Sequence, residues 1–212
     1  MLVPPLYPII DIDLCRMRGL DPAQVVDGTL AGGARILQIR AKSGDSGALL
    51  ALARHAVRAG RDRGAVIIVN DRADIAGMAG AHGVHVGQDD LPVDTVRQIA
   101  GEGAIVGLST HTPEQVDRAL AGAASYVAVG PVFRTATKET GYEPRGLDLV
   151  RRAAQGRKPV VAIGGISIDN AAGVIEAGAS AVAIISDLLS DPPPDARVRA
   201  FLSRIPARPF NV

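Results

Sequence analysis

The chain has 212 residues, 47% hydrophobic and 21% charged, with a net charge of +1. Such a chain buries a core and is not disordered. With near-zero charge, 3 Tyr, 3 Phe and no Trp, it has no basic or base-stacking surface for nucleic acid or anionic membrane. The lone Cys15 closes no internal disulfide, and Met1–Ile10 holds three prolines without a basic leader segment. No apolar run approaches the ~20 residues that span a bilayer. The expectation is a soluble cytoplasmic α/β protein, a single domain over residues 1–212.

Eight short apolar, β-branched runs recur: Leu6–Asp11, Arg35–Arg40, Ala65–Asn70, Gly83–Val86, Ile105–Ser109, Tyr126–Gly130, Pro159–Ile163 and Ala181–Ser186. Most are nearly continuous in apolar residues, as parallel strands covered on both faces should be. After the first, Asp21-Pro22 reads as an N-cap with Pro at the first helical position, and that helix runs to about Leu30 before Gly32-Gly33. After the second, Ser46–Arg61 carries an apolar stripe of Leu49, Leu50, Leu52, Ala53, Ala56 and Val57, ended by Gly64. Thr112-Pro113-Glu114-Gln115 follows the fifth with capping-box spacing. After the seventh, a helix over Asp169–Ala177 ends at Gly178. A last helix, about Asp195–Arg204, restarts after Asp191-Pro192-Pro193-Pro194. Strands alternating with helices predict a parallel sheet. The count of eight, with Gly-rich turns after the last two strands, predicts a closed (β/α)8 TIM barrel rather than a doubly wound sheet.

In that fold the site lies at the C-terminal ends of the strands. After the second strand, Gln38, Arg40 and Lys42 share one face if the segment stays extended, which aims two cations at the barrel mouth. If the strand ends sooner, they are simply solvated. Asn70-Asp71 follows the third strand and Gly87-Gln88-Asp89-Asp90 the fourth. Acids on neighbouring strands can share a hard cation such as Mg²⁺, or each can cap a helix. Ser109 follows the fifth strand as a hydrogen-bond donor for an oxyanion, and Thr112 reads as a cap. His111, His55, His82 and His85 lack a visible nucleophile or orienting acid and read as structural or surface residues. The long loop Gly130–Gly141 is either a phosphate-binding lid or an ordinary surface loop. Gly164-Gly165 and Ile185-Ser186 stand where such barrels bind phosphate on backbone N–H groups. Together these features predict two phosphorylated ligands, one of them metal-bound.

Six segments, in order, resemble the thiamine-phosphate synthase family: Gln38–Lys42, Asn70-Asp71, His85–Asp90, Gly107–Thr112, Gly130–Lys138 and Ile163–Ile166. The likeness runs from about Leu6 to Ser190. It implies that Gln38, Ile39, Arg40, Ala41, Lys42, Asn70, Ser109 and Lys138 hold a hydroxymethylpyrimidine diphosphate. It implies Asp71 and Asp90 as Mg²⁺ ligands, a choice of Asp90 over Asp89 that spacing alone does not make. Thr135, Ala136, Thr137, Gly165 and the Ile185-Ser186 backbone would hold a thiazole phosphate. Arg40, Lys42, Ser109 and Lys138 would serve the chemistry, in which the family joins the two substrates and releases diphosphate. The implied partners are small molecules, with oligomeric state left open.

Three rivals have distinct signatures. The related thiazole tautomerase carries a His in the loop after strand six, where this chain has Gly130-Pro131. A sugar-phosphate isomerase barrel explains Gly164-Gly165 but not the acids. A thiamine-phosphate sensor has little need for Asp71, Asp90 and Lys138.

Overall fold

Strands that are apolar on both faces stay out of water only if both faces are covered, and closing the sheet on itself under a ring of helices does this. The computed structural model describes residues 2–3, 5–135, 141–206 and 210–211. Its eight parallel strands form a closed barrel: β1 (Leu6–Asp11), β2 (Ile36–Arg40), β3 (Val66–Asn70), β4 (Gly83–Val86), β5 (Ile105–Thr110), β6 (Tyr126–Val129), β7 (Val160–Ile163) and β8 (Ala181–Ile184). Strands pair in chain order, and β8 closes on β1 with Leu6 opposite Val182 and Pro8 opposite Ile184. Leu2–Val3 pairs with Phe210–Asn211 in a short antiparallel ribbon.

The helices are α1 (Ile12–Met17), α2 (Pro22–Ala31), α3 (Ser46–Arg61), α4 (Ala73–Ala79), α5 (Val93–Ala100), α6 (Pro113–Ala121), α7 (Gly146–Ala153), α8 (Ala171–Glu176) and α9 (Pro194–Arg204). Local chemistry sets several starts. The Asp21 side chain accepts the Ala23 N–H at 2.9 Å, and Thr112 Oγ1 accepts that of Gln115 at 3.3 Å. The reciprocal half of the expected capping box is displaced by one residue, because Gln115 Oε1 accepts from the His111 N–H at 2.7 Å. The sequence reading did not place α1. Asp11 ends β1 and caps α1 in one residue, accepting the Leu14 N–H at 3.0 Å, so no turn residue separates strand from helix.

Strand alternation divides the core in two. Leu37, Ile39, Ile67, Val69, Val84 and Val86 point outward to the helices. Tyr7, Ile36, Val66, Ile68, Tyr126 and Val161 fill the barrel. Two buried tyrosines need space, and small inward residues supply it: Ala128, Ala181 and Ala183, with glycine at 107, where a methyl group would overlap the Tyr126 ring. Among the described residues, no helix is long and apolar enough to cross a membrane.

Candidate active site

Toward the C-terminal strand ends the barrel interior turns polar. Gln38 on β2, Asn70 on β3, His85 on β4 and Ser109 on β5 are all at most 9% exposed. They open into one pocket with Arg40, His111, Thr135, Gly165, Ile185 and Ser186, over a floor of Ile9, Ala128, Val161 and Ile163. Residues far apart in the chain thus meet because each sits at an inward position near its strand end.

The polar groups at the base of this pocket are joined. Ser109 Oγ lies 2.9 Å from His85 Nε2, and His85 Nδ1 lies 2.9 Å from the Tyr126 hydroxyl. The Tyr126 and Tyr7 hydroxyls are 2.9 Å apart, and Gln38 Nε2 donates to Tyr7 at 3.2 Å. Burial pushes both phenols well above their ordinary pKa of 10.0, so both stay neutral.

The two cations of β2 do not share one extended face, because the strand ends at Arg40. Arg40 remains inward, 12% exposed, and pairs with Asp11, whose other oxygen caps α1. Lys42 lies beyond the strand at the rim, half exposed, with Nζ 2.7 Å from Asp71 Oδ2. Asp13 on α1 fixes that segment by accepting the Lys42 and Ser43 N–H groups at 2.7 and 3.0 Å. A hydrogen bond from the Ser43 side chain foremost, with these two backbone bonds, holds the Asp13 carboxyl below its usual range. Ile39 points outward into the helix-facing core, because alternation turns every second side chain away from the barrel interior. Neither it nor Ala41 lines the pocket.

Asp71 and Asp90 are not helix caps. α4 is preceded by Arg72 and α5 by Pro92, neither with a side-chain cap bond. Asp71 is the one non-glycine described residue with positive φ, at 62°. Its N–H is tied to the His85 carbonyl at 2.8 Å, which links the ends of β3 and β4. Asp90 Oδ2 accepts the Gly87 N–H at 2.7 Å. Both acids sit outside the pocket lining, as does Lys42. No cluster of three or more His, Cys, Asp or Glu able to hold a metal exists among the described residues. Two carboxylates at adjacent strand ends do fit Mg²⁺, which takes one or two from protein and the rest of its shell from water and phosphate.

The turn after β7 differs from its sequence reading in one respect. Gly164 and Gly165 have φ of 102° and 64°, so glycine is required. The space beside Gly165 is filled by the loop after β6: an added Cβ would lie 2.7 Å from Phe133 Cβ. That loop docks through the Val132 and Phe133 N–H groups, bonded to the Ile163 and Gly164 carbonyls at 2.9 Å each. α8 begins only at Ala171, so its N-terminus is not directly behind the glycines. Ser186 opens a short 3-10 turn, Asp187–Leu189. Thr135 lines the pocket, whereas Ala136, Thr137 and Lys138 lie outside the described residues.

Sequence reasoning missed His85 and His111 as pocket residues. For His85 the signal was its place next to the end of β4, and for His111 its place immediately after β5, at the strand ends where such barrels carry their site. His111 Nδ1 donates to the Gly130 carbonyl at 2.5 Å, and its ring stacks on Tyr142 at 4.5 Å. Arg145 covers the Tyr142 ring at 5.6 Å. The Arg145 and Gly146 N–H groups bond the Pro131 and Val132 carbonyls, closing the base of the loop. His82 and His55 keep structural places: His82 Nδ1 accepts the Ile67 N–H at 3.0 Å, and His55 pairs with Asp27 at 2.8 Å.

Residues 6–188 match the family model described as thiamine monophosphate synthase. A thiamine-phosphate synthase of Roseiflexus sp. (strain RS-1) is 42% identical over 196 residues, 92% of this chain and 82% of that protein. The thiamine biosynthesis bifunctional protein ThiM/ThiE of Symbiobacterium thermophilum is 40% identical over 96% of this chain, which spans 42% of its length. The solved thiamine phosphate pyrophosphorylase of Pyrococcus furiosus superposes with a TM-score of 0.84 at 27% identity, covering 94% of each chain.

Proposed function

The chain belongs to the thiamine monophosphate synthase family and is a transferase of thiamine biosynthesis, and we propose that it joins a hydroxymethylpyrimidine diphosphate to a thiazole phosphate with the help of Mg²⁺. One observation carries the reading. Gln38, Arg40, Asn70, Ser109, Thr135, Gly165, Ile185 and Ser186 converge on a single pocket at the barrel mouth, with Lys42 and Asp71 paired at its rim.

The chemistry asks little covalent work of the protein. The bond between the pyrimidine methylene carbon and the diphosphate oxygen breaks, and its electron pair leaves with diphosphate. The carbon is stabilised as a cation by ring electrons until the thiazole nitrogen lone pair forms the new C–N bond. No proton must be removed from that nitrogen, so no strong base is needed. Arg40 is held by Asp11 before substrate arrives, and a charge already oriented costs no reorganisation as the leaving group gains charge. Lys42 and Lys138 add to it, Gln38 and Asn70 orient the pyrimidine, and Ser109 donates to an acceptor atom. Thr135 to Thr137, Gly165 and the Ile185-Ser186 backbone hold the second phosphate and align the rings. Asp71 and Asp90 would hold Mg²⁺, which when bound neutralises charge on the diphosphate oxygens.

The test is diphosphate release from the pyrimidine diphosphate and Mg²⁺, with and without thiazole phosphate. The expected result is release that requires thiazole phosphate and equals the thiamine phosphate formed. Binding of both ligands without release would overturn the reading in favour of a sensor, and rearrangement of the thiazole alone in favour of a tautomerase.

A further inference from the structure

Five side chains cross the barrel at the base of the pocket in an unbroken series, all but Tyr126 lining it: Ser109, His85, Tyr126, Tyr7 and Gln38. The two ends meet the proposed substrate, and the middle three have no part in the chemistry above. The series has a direction. The Gln38 amide nitrogen only donates, so Tyr7 accepts from it at 3.2 Å. Each phenol carries one hydrogen and either could donate across the 2.9 Å between them; with Tyr7 accepting from Gln38, the arrangement that gives every hydrogen of the series an acceptor has Tyr7 donate to Tyr126. The hydrogen of Tyr126 then faces His85 Nδ1 at 2.9 Å. A neutral imidazole that accepts at Nδ1 carries its proton on Nε2 and donates it to Ser109 Oγ at 2.9 Å. Ser109 satisfies the imidazole as an acceptor and keeps its own hydrogen for the ligand.

We infer that His85, Tyr126 and Tyr7 are positioning residues, forming a one-way hydrogen-bond relay that fixes Ser109 as a donor toward the substrate. The inference rests on Ser109 serving the reaction proposed above. Reversing the series would spend the Ser109 hydrogen on His85 and turn only lone pairs toward an anionic ligand, a repulsive arrangement. The relay is built into the packing. The His85 and Tyr126 rings lie nearly parallel, 5.6 Å apart at 24°, and glycine at 107 leaves both rings room. Desolvation keeps both phenols protonated, so the relay does not lose its hydrogens near neutral pH.

The tautomer is read directly by 15N NMR of the substrate-free protein labelled at histidine, with the His85 signals identified by their loss in His85→Gln. The relay requires a neutral His85 with a pyrrole-like Nε2 and a pyridine-like Nδ1. Tyr126→Phe, and Tyr7→Phe as a second isosteric variant, should lower kcat about tenfold with KM little changed, since only the donor's alignment is lost. His85→Gln, which keeps an amide donor near the Nε2 position, should retain more turnover than His85→Ala. A proton on Nδ1 in the wild type, equal losses in the two His85 variants, or a kcat within about twofold of wild type for folded Tyr126→Phe would each overturn the inference. The tautomer is measured without turnover, so failure of the proposed reaction and failure of the relay are separately visible.

Discussion

Asp71 is the residue where the local rule and the site meet. A left-handed φ of 62° costs a non-glycine residue free energy, though Asp and Asn bear it best. The turn persists because the Asp71 N–H is held by the His85 carbonyl and its carboxylate by Lys42. Asp71→Asn keeps the turn geometry and removes the charge. Its melting temperature should stay close to wild type, while turnover at fixed Mg²⁺ should fall by about tenfold or more. Unchanged turnover and unchanged Mg²⁺ dependence in both Asp71→Asn and Asp90→Asn would remove these acids from the proposed metal site. The residue types at 71 and 90 were legible in sequence, but the alternative that each capped a helix was not decidable there. Only the observed starts of α4 and α5, without side-chain caps, set it aside.

At the scale of elements, the strands and several helix starts were readable because their causes are local. Asp21, Thr112 and the apolar stripe of Ser46–Arg61 act within a few residues of themselves. What escaped was α1, which follows β1 with no breaker, the bounds of α4, α5 and α7, whose starts carry no side-chain cap, and the purpose of the glycines. Gly107 looks in sequence like any glycine in a strand, yet it makes room for Tyr126 and His85 from neighbouring strands. Gly107→Ala should destabilise by about 1–3 kcal/mol, the cost of forcing a methyl into a packed interior. Thermal unfolding of this variant checks it, and a melting temperature equal to wild type would show that the barrel absorbs the methyl without strain. Gly165 carries the same lesson: the space it leaves is occupied by Phe133 and Arg134 of the loop after β6.

At the scale of the whole molecule, two phenols enclosed by the barrel make stability depend on alkaline pH. Burial raises the Tyr7 and Tyr126 pKa values above the ordinary 10.0, so the folded state favours the neutral phenols. That contribution is fully present below about pH 10 and is lost as pH climbs from there toward the raised values. Each phenol should cost about 1.4 kcal/mol per pH unit in that window. Denaturant titrations from pH 9 to 11 should therefore show a steepening loss that Tyr126→Phe reduces by about half. A flat profile across that range would mean the phenols are not enclosed. The acid side runs the other way. Arg72 holds Asp74, and Arg152 holds Asp117, below the ordinary carboxylate range, so those contributions are present above about pH 4 and fade as pH falls.

The sequence by itself determined the barrel, because eight apolar runs, their caps and their turn glycines all act over short range and agree with one another. It also determined which residue types gather at the strand ends, because alternation and order along the chain carry that much. Tertiary structure alone decided which groups touch. Arg40 meets Asp11, Lys42 meets Asp71, and Ser109 reaches Gln38 through His85, Tyr126 and Tyr7. Those contacts join residues 24 to 119 positions apart. They exist only once the sheet has closed, when the shape of one shared interior fixes which side chains must face one another.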